Sequence, residues 1–293
     1  MKILLIGGNG YVGSRLYDFI KNKFEVVNVD VCWQDVLYPE IIVKNYRDLT
    51  KEFISEFSHI ILLAGHSSVS MCDSLTNPIE NNVSSFVNLI EKMDDSQTLI
   101  YTSTAAVYGS NPNFVDESSP LQEAINFYDF TKIINEKIID LYPNKNIIAL
   151  RLGSVGGFSK NFRRENLMNA ISMSVYNDNK ITISNPDNYR SVLGIVDLCK
   201  SIEKILILGV KKRIYNLTSI NNKIINFGLS LQKLTNCELI INDSLKTKYS
   251  FNCSNERFEI DYDFKFKDTI ESIYRDIVDN IDNIIINVPR KSI

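Results

Sequence analysis

A chain of 293 residues, 44% of them apolar, is long enough for a substantial core and reads as one large α/β domain or a larger domain with a smaller one attached. A formal net charge of −3 and a pI near 5.6 argue against a polyanion-binding surface, and the basic run Lys211, Lys212, Arg213 reads as a solvated loop, so no nucleic-acid partner is expected. Five widely spaced cysteines without C-x-x-C pairs and only two histidines leave little material for a disulfide framework, a metal centre or a Ser-His-Asp triad.

The first element is a strand, Lys2 to Ile6, which leaves no room for a signal peptide after Met1. No later apolar run reaches membrane-spanning length, and a cytoplasmic protein with reduced thiols, no metal and no membrane contact is expected. Two glycines end the strand, and apolar residues return at helical spacing from Tyr11 through Val12, Leu16, Phe19 and Ile20. Gly7, Gly10 and Gly13 fall where side chains would obstruct a tight turn, a diphosphate approaching the backbone, and helix-on-strand packing. The unpaired N–H groups and partial positive charge of a helix start stabilise an anion there, so the turn is suited to a pyrophosphate. Seventeen residues after Gly13, the run Phe24 to Val29 ends in Asp30, whose carboxylate is placed to accept from adenosine ribose hydroxyls and to repel a 2′-phosphate. Val31, Cys32, Trp33 and Gln34 bring no cation to offset it, so NAD is favoured over NADP. Glycines also end strands for structural reasons, and Asp30 also fits a strand-end turn.

Further along, Glu40 to Lys44 reads as a short strand and Asp48 to Phe57 as a short helix. His59 to Ala64 is a nearly continuous apolar run, as in a strand covered on both faces, and Gly65 ends it. His59 reads as an edge or loop residue; His66 is either packed or at the lining of a cofactor site. Pro78 to Met93 predicts a helix, Thr98 to Thr102 a buried strand, Tyr128 to Leu141 a helix and Ile147 to Leu150 a strand. This alternation implies a doubly wound parallel sheet with its ligand crevice at the carboxyl ends of the strands. Beyond Gly153 the rhythm loosens: helices near Asn166 to Val175, Val196 to Leu208, Ile224 to Thr235 and Asp268 to Ile281, and strands at Lys180 to Ile183 and Arg213 to Leu217. Residues 1–155 are expected to form the dinucleotide-binding domain and 156–293 a smaller α/β substrate domain that partly returns to the main sheet.

Tyr128 and Lys132, at i and i+4, share a helix face. A neighbouring ammonium lowers a phenol's pKa from about 10 and makes it a general acid or base near neutrality. Tyr176 and Lys180 have the same spacing, but Asn177, Asp178 and Asn179 follow Tyr176 as a turn, which makes that pair a decoy.

The ordered set GGNGYVG with Asp30, LLAG at 62–65, NNV at 81–83, TSTAAVYG at 102–109, YDFTK at 128–132, LRLGSVGG at 150–157, NLM at 166–168 and YRSVLGIVDL at 189–198 is more specific than any one motif. It resembles the extended short-chain dehydrogenase/reductases, in the branch of NAD-dependent nucleotide-sugar epimerases and dehydratases. The resemblance implies a Rossmann-type fold and cofactor contacts from Gly7, Gly10, Tyr11, Val12, Gly13, Asp30, Ala64, Gly65, Asn82, Tyr128 and Lys132. It implies that Thr104 hydrogen-bonds the sugar oxygen, that Tyr128 exchanges its proton, and that Lys132 holds the nicotinamide ribose while acidifying the tyrosine. It further implies that Ser154, Asn166 and Arg190 meet a nucleoside-diphosphate sugar. Asp197 matches a family aspartate at a helix start, where an N-cap is the simpler role. Relatives pair the helices matching Pro78–Met93 and Tyr128–Leu141 across a two-fold axis, so a homodimer is expected.

Departures from the family pattern narrow the expectation. Ala105 and Ala106 stand where sugar 4,6-dehydratases carry an Asp-Glu pair, which disfavours dehydration. Ser154 replaces a usual asparagine and Gly194 a frequent histidine; Asn45 and Tyr46 replace an adenine-contacting Asp-Ile, with Asp48 near enough to serve. The expected reaction is hydride transfer at C4 of a nucleoside-diphosphate hexose, by a 4-epimerase or a 4-keto-sugar reductase. The alternatives are a non-catalytic NAD(P)-binding sensor or scaffold, against which the intact Thr104, Tyr128 and Lys132 speak, and a reductase of a non-sugar carbonyl, against which Asn166 and Arg190 speak.

Overall fold

The structure is a computed structural model that describes residues 1–33, 35–74, 77–242 and 249–285; Gln34, one of the residues weighed for cofactor choice, lies outside them. In chain order the first half holds β1 (Lys2–Ile6), α1 (Tyr11–Ile20), β2 (Glu25–Asp30), β3 (Ile42–Val43), α2 (Lys51–Ser55), β4 (His59–Leu62), α3 (Val69–Ser74), α4 (Ser85–Lys92), β5 (Thr98–Thr104), β6 (Ser110–Val115), α5 (Phe127–Asp140) and β7 (Asn146–Leu152). The second half holds β8 (Ser154–Gly156), α6 (Leu167–Asp178), β9 (Lys180–Ile183), β10 (Tyr189–Gly194), α7 (Ile195–Leu208), β11 (Ile214–Leu217), β12 (Ile220–Lys223), α8 (Ile224–Thr235), β13 (Glu238–Ile241), β14 (Ser250–Cys253), α9 (Glu256–Tyr262) and α10 (Ile270–Val278).

Seven parallel strands form the main sheet in the order β11-β7-β5-β4-β1-β2-β3. Alternate residues of the central strands feed two different cores, which is why those strands read as unbroken apolar runs. Ile3, Leu5, Ile61, Ile100 and Ile148 pack on the side of α1 and α7, while Leu4, Ile6, Ile60, Leu62 and Leu99 pack with Phe86, Leu89 and Ile90 of α4 and Ile139 of α5. After β1 the chain first builds outward through β2 and β3 and then returns to the other side of β1 as β4. The crevice at this switch point lies beyond the carboxyl ends of β1 and β4, where such folds bind ligands.

Smaller sheets stand above that edge: β12-β10-β8, β13-β9 and β14-β6. The expected strand Glu40–Lys44 shrinks to Ile42–Val43, an exposed edge pair, and the expected helix Asp48–Phe57 shrinks to α2 behind its Thr50 cap. The expected helix Pro78–Met93 is interrupted by a π-turn at Glu80–Ser84, where Asn82 turns inward and is buried. Strands β6, β8, β10, β12, β13 and β14 and helices α3 and α9 carry no strong periodic signal and are not among the predicted elements. Among the described residues no helix is long and apolar enough to cross a membrane.

Candidate functional site

The glycine turn after β1 is built by close approach. Gly7 has φ +92°, and a Cβ on it would lie 2.6 Å from the Ala64 nitrogen; a Cβ on Gly13 would lie 2.0 Å from the Gly7 carbonyl oxygen. No side chain caps α1, whose N-cap is Gly10, so its first N–H groups have no side-chain acceptor and face an anion site. Asp30, at the end of β2, is fixed by two backbone donors: Asn9 N–H to Oδ2 at 2.9 Å and Cys32 N–H to Oδ1 at 2.8 Å.

These residues line a cavity of about 780 Å³ that continues past Ala64 and Gly65 to Thr104, Tyr128 and Lys132, and on to Ser154, Asn166 and Arg190. The uncapped helix start, the cradle that side chains would fill and the fixed carboxylate at the far end fit a dinucleotide. Gly10, Tyr11, Val12 and Gly13 all border it. The Tyr11 side chain is buried and donates to the Gly157 carbonyl at 2.8 Å, joining the two halves of the chain.

Asn82, an expected cofactor contact, is a correction. It lies under the cavity wall, accepting from His66 N–H at 2.8 Å and donating to the His66 carbonyl at 3.1 Å and the Thr131 hydroxyl at 3.1 Å. Asn82 is not among the residues that line the cavity, and its amide fastens the Gly65–His66 loop to α5.

At the reacting end, Thr104 closes β5 and its Oγ1 accepts from Ala106 N–H at 3.2 Å. Asn126 caps α5 through Asp129 N–H at 2.9 Å, which fixes Tyr128 in the first turn. Lys132 donates to the Thr102 carbonyl at 2.8 Å and stands 4.8 Å from the Tyr101 ring centre. Burial pushes the Lys132 ammonium down to about 8. The expected acidification of Tyr128 by Lys132 is not what this arrangement produces. Burial raises the phenol, and the groups that pull it back are the Thr104 hydroxyl and the Arg163 charge.

On the substrate side, Asn166 precedes α6 and donates to the Val155 carbonyl at 2.8 Å. Arg190 donates to the carbonyls of Tyr189 and Tyr249 and lies 5.7 Å from the Phe251 ring centre. Gly194 is not among the residues that line this cavity: a Cβ there would meet Asp268 Oδ2 at 2.0 Å, so the histidine common in relatives has no room. Asp197 is not the N-cap, which is Gly194. Its buried carboxylate accepts from Ser219 Oγ, Lys267 N–H and Asp268 N–H at 2.8–2.9 Å, while Asp268 caps Asp197 N–H in return at 2.9 Å. Asp48 points outward from its 3₁₀ turn, and Asn45 and Tyr46 take the cavity wall instead.

Ala105 is fully buried and Ala106 borders the cavity, so no titratable group follows Thr104. Lys180 opens β9 beyond the left-handed cap Asn179, off the helix that carries Tyr176, and neither residue borders the cavity. His66, left open between packing and lining, borders the cavity with its ring 5.7 Å from that of Trp33. Arg163, Tyr249 and Phe251 also line it and were not singled out, since irregular loops and short strands give no spacing signal.

Residues 3–218 match the sequence model of the NAD-dependent epimerase/dehydratase family. The chain is 26% identical over 235 residues to Protein CapI of Staphylococcus aureus, covering 70% of this chain and 69% of that one. It is 27% identical over 234 residues to the UDP-glucose 4-epimerase of Lactobacillus helveticus, covering 68% and 69%. In fold it is similar to the UDP-glucose-4-epimerase of Stenotrophomonas maltophila solved with NAD and formylated UDP-arabinopyranose, with TM-score 0.82, 18% identity and coverage of 94% and 96%. The glycine turn, the seven-stranded parallel sheet and a match over most of the sequence agree, and the protein belongs to the NAD-dependent epimerase/dehydratase family, with NAD as its cofactor.

Proposed function

We propose that the protein transfers a hydride at C4 of a nucleoside-diphosphate sugar, as a 4-epimerase or a 4-keto-sugar reductase. The observation that carries this reading is one continuous cavity with the glycine turn and Asp30 at one end and Thr104, Tyr128 and Lys132 at the other. Bound NAD supplies the hydride acceptor and donor. Tyr128 gives or takes the proton at the sugar oxygen, and the Thr104 hydroxyl, whose oxygen already accepts from Ala106 N–H, donates to that same oxygen. Lys132 keeps N–H groups beyond its bond to Thr102 for ribose hydroxyls. The raised phenol is protonated at neutral pH, so the step that reduces a keto sugar finds its acid ready, while the oxidising step draws on Thr104 and Arg163 to hold the phenolate.

Ser154, Asn166 and Arg190 are proposed to hold the nucleoside diphosphate, with residues 156–293 forming the substrate half. Dehydration is disfavoured by the two alanines after Thr104. The exposed apolar residues Phe127, Phe130 and Leu141 of α5 and its end favour a homodimer through that face. Incubation with nucleoside-diphosphate hexoses tests the reading. An epimerase yields the C4 isomer without added NADH, and a reductase consumes NADH stoichiometrically once given a 4-keto sugar; turnover of neither class contradicts the proposal.

A further inference from the structure

The segment between β8 and α6 lies across the start of α1 as a strap. Asn161 Nδ2 donates to the Asn9 carbonyl at 2.6 Å, the Ser14 and Ser159 hydroxyls share a bond of 2.5 Å, and Asn169 Nδ2 donates both to Tyr11 Oη at 3.0 Å and to the Arg163 carbonyl at 2.8 Å. The strap ends in Arg163, whose side chain is 13% exposed. Its guanidinium crosses to the loop after β4, donating through Nη1 to Ser67 Oγ at 3.0 Å and through Nη2 to the Ser67 carbonyl at 3.3 Å, while Nε meets the half-exposed Glu165 at 2.7 Å. Arg163 thereby ties the strap over the glycine turn to the loop on the other side of the switch point.

Three cations line the cavity among its described residues: Lys132, Arg163 and Arg190. Lys132 is turned to Thr102 and Arg190 is packed on Phe251, on the substrate side. The Arg163 charge is felt at both Tyr11, the first residue of α1, and Tyr128. The partial charge of one helix start offsets only part of a diphosphate, and a planar guanidinium fork suits the remainder.

We propose that Arg163 is the diphosphate clamp for the dinucleotide, contributed by the substrate half of the chain; this rests on NAD being the cofactor. The test titrates NAD, ADP and adenosine into cofactor-free protein, and UDP into NAD-saturated protein, by calorimetry and by fluorescence of Trp33, the chain's single tryptophan. For R163Q the expected result is NAD and ADP affinity at least tenfold weaker and faster NAD release, with adenosine and UDP affinities within about twofold of wild type. R163K, which keeps the charge, is expected within about fivefold for NAD, and S67A, which keeps the guanidinium, within about threefold. Unchanged NAD affinity in R163Q would overturn the clamp, as would equal weakening of NAD and adenosine, which marks collapse of the strap, or weakening of UDP alone, which assigns Arg163 to the substrate's diphosphate. Failure of the wild-type protein to take up NAD would remove the cofactor assignment and the clamp together.

Discussion

Directly beneath Thr104 lies a buried ion pair whose removal gives a graded test of how the site is supported. Arg151 on β7 meets Glu136 on α5 through Nε, 3.1 Å from both carboxylate oxygens, and through Nη2 at 2.7 Å; the two side chains are 4% and 2% exposed. Ser103, next to Thr104, donates to Glu136 at 2.5 Å, and the Tyr108 hydroxyl accepts from Arg151 at 2.6 Å. In such a pair desolvation offsets much of the attraction, so the pair as a whole adds little, but losing one partner strands a charge at a cost of about 3–5 kcal/mol. Arg151→Met leaves the Glu136 carboxylate with Ser103 as its remaining side-chain donor, and with about 2 cal/mol/K of unfolding entropy per residue its Tm should fall by about 5–8 °C. The double variant Glu136→Leu with Arg151→Met strands nothing and should regain all but about 1–2 kcal/mol. Denaturant unfolding of both single variants and the double variant reads these differences. A cost for Arg151→Met below about 1 kcal/mol, or single costs that simply add in the double variant, would refute the reasoning.

Asp268 gives a pH signature. Burial, with Asp197 beside it, lifts its carboxyl to about 6, above the unfolded value, so the folded state takes up the proton first and this group adds stability as pH falls through about 6. Asp268→Asn keeps an acceptor for Asp197 N–H, so it should stabilise the protein by about 1 kcal/mol at pH 8, with the gain vanishing by about pH 4 in chemical denaturation; the same gain at both pH values would contradict the assignment. Gly13→Ala places a Cβ 2.0 Å from the Gly7 carbonyl, so NAD binding by calorimetry should weaken at least tenfold, by about 1.4 kcal/mol or more. Asp30→Ser removes the charge facing a 2′-phosphate; the ratio of NADP to NAD affinity should rise about tenfold, and an unchanged ratio would show that Asp30 does not select the cofactor.

Where the sequence carried a period, the fold was legible. Strand β9 and helix α8 fall on the predicted residues, and β1, α1, β4 and α5 within a residue or two, because each buries apolar residues at regular spacing. The missed elements are β6, β8, β10, β12, β13, β14, α3 and α9, all short, and the strands among them draw their stability from long-range pairing, as β14 does against β6 more than a hundred residues away. At the site, glycines and the Tyr128–Lys132 spacing are local signals, and both pointed to the cavity. Asn82 was misread because its motif position says nothing of which way a π-turn sends the side chain. Asp197 was misread because its partners Ser219, Lys267 and Asp268 are remote in sequence. Arg163 was missed because a strap across the glycine turn exists only once β8 and α6 are docked on α1.

The central claim is that one phenol exchanges the proton at the sugar while other residues hold the dinucleotide. Tyr128→Phe removes one hydroxyl from the reacting end and leaves the glycine turn and Asp30 untouched. Measured on a nucleoside-diphosphate sugar that the wild-type protein turns over, its kcat should fall by about 10²–10⁴ with NAD affinity within about twofold. Turnover near the wild-type rate, or loss of NAD binding in step with activity, would contradict the account.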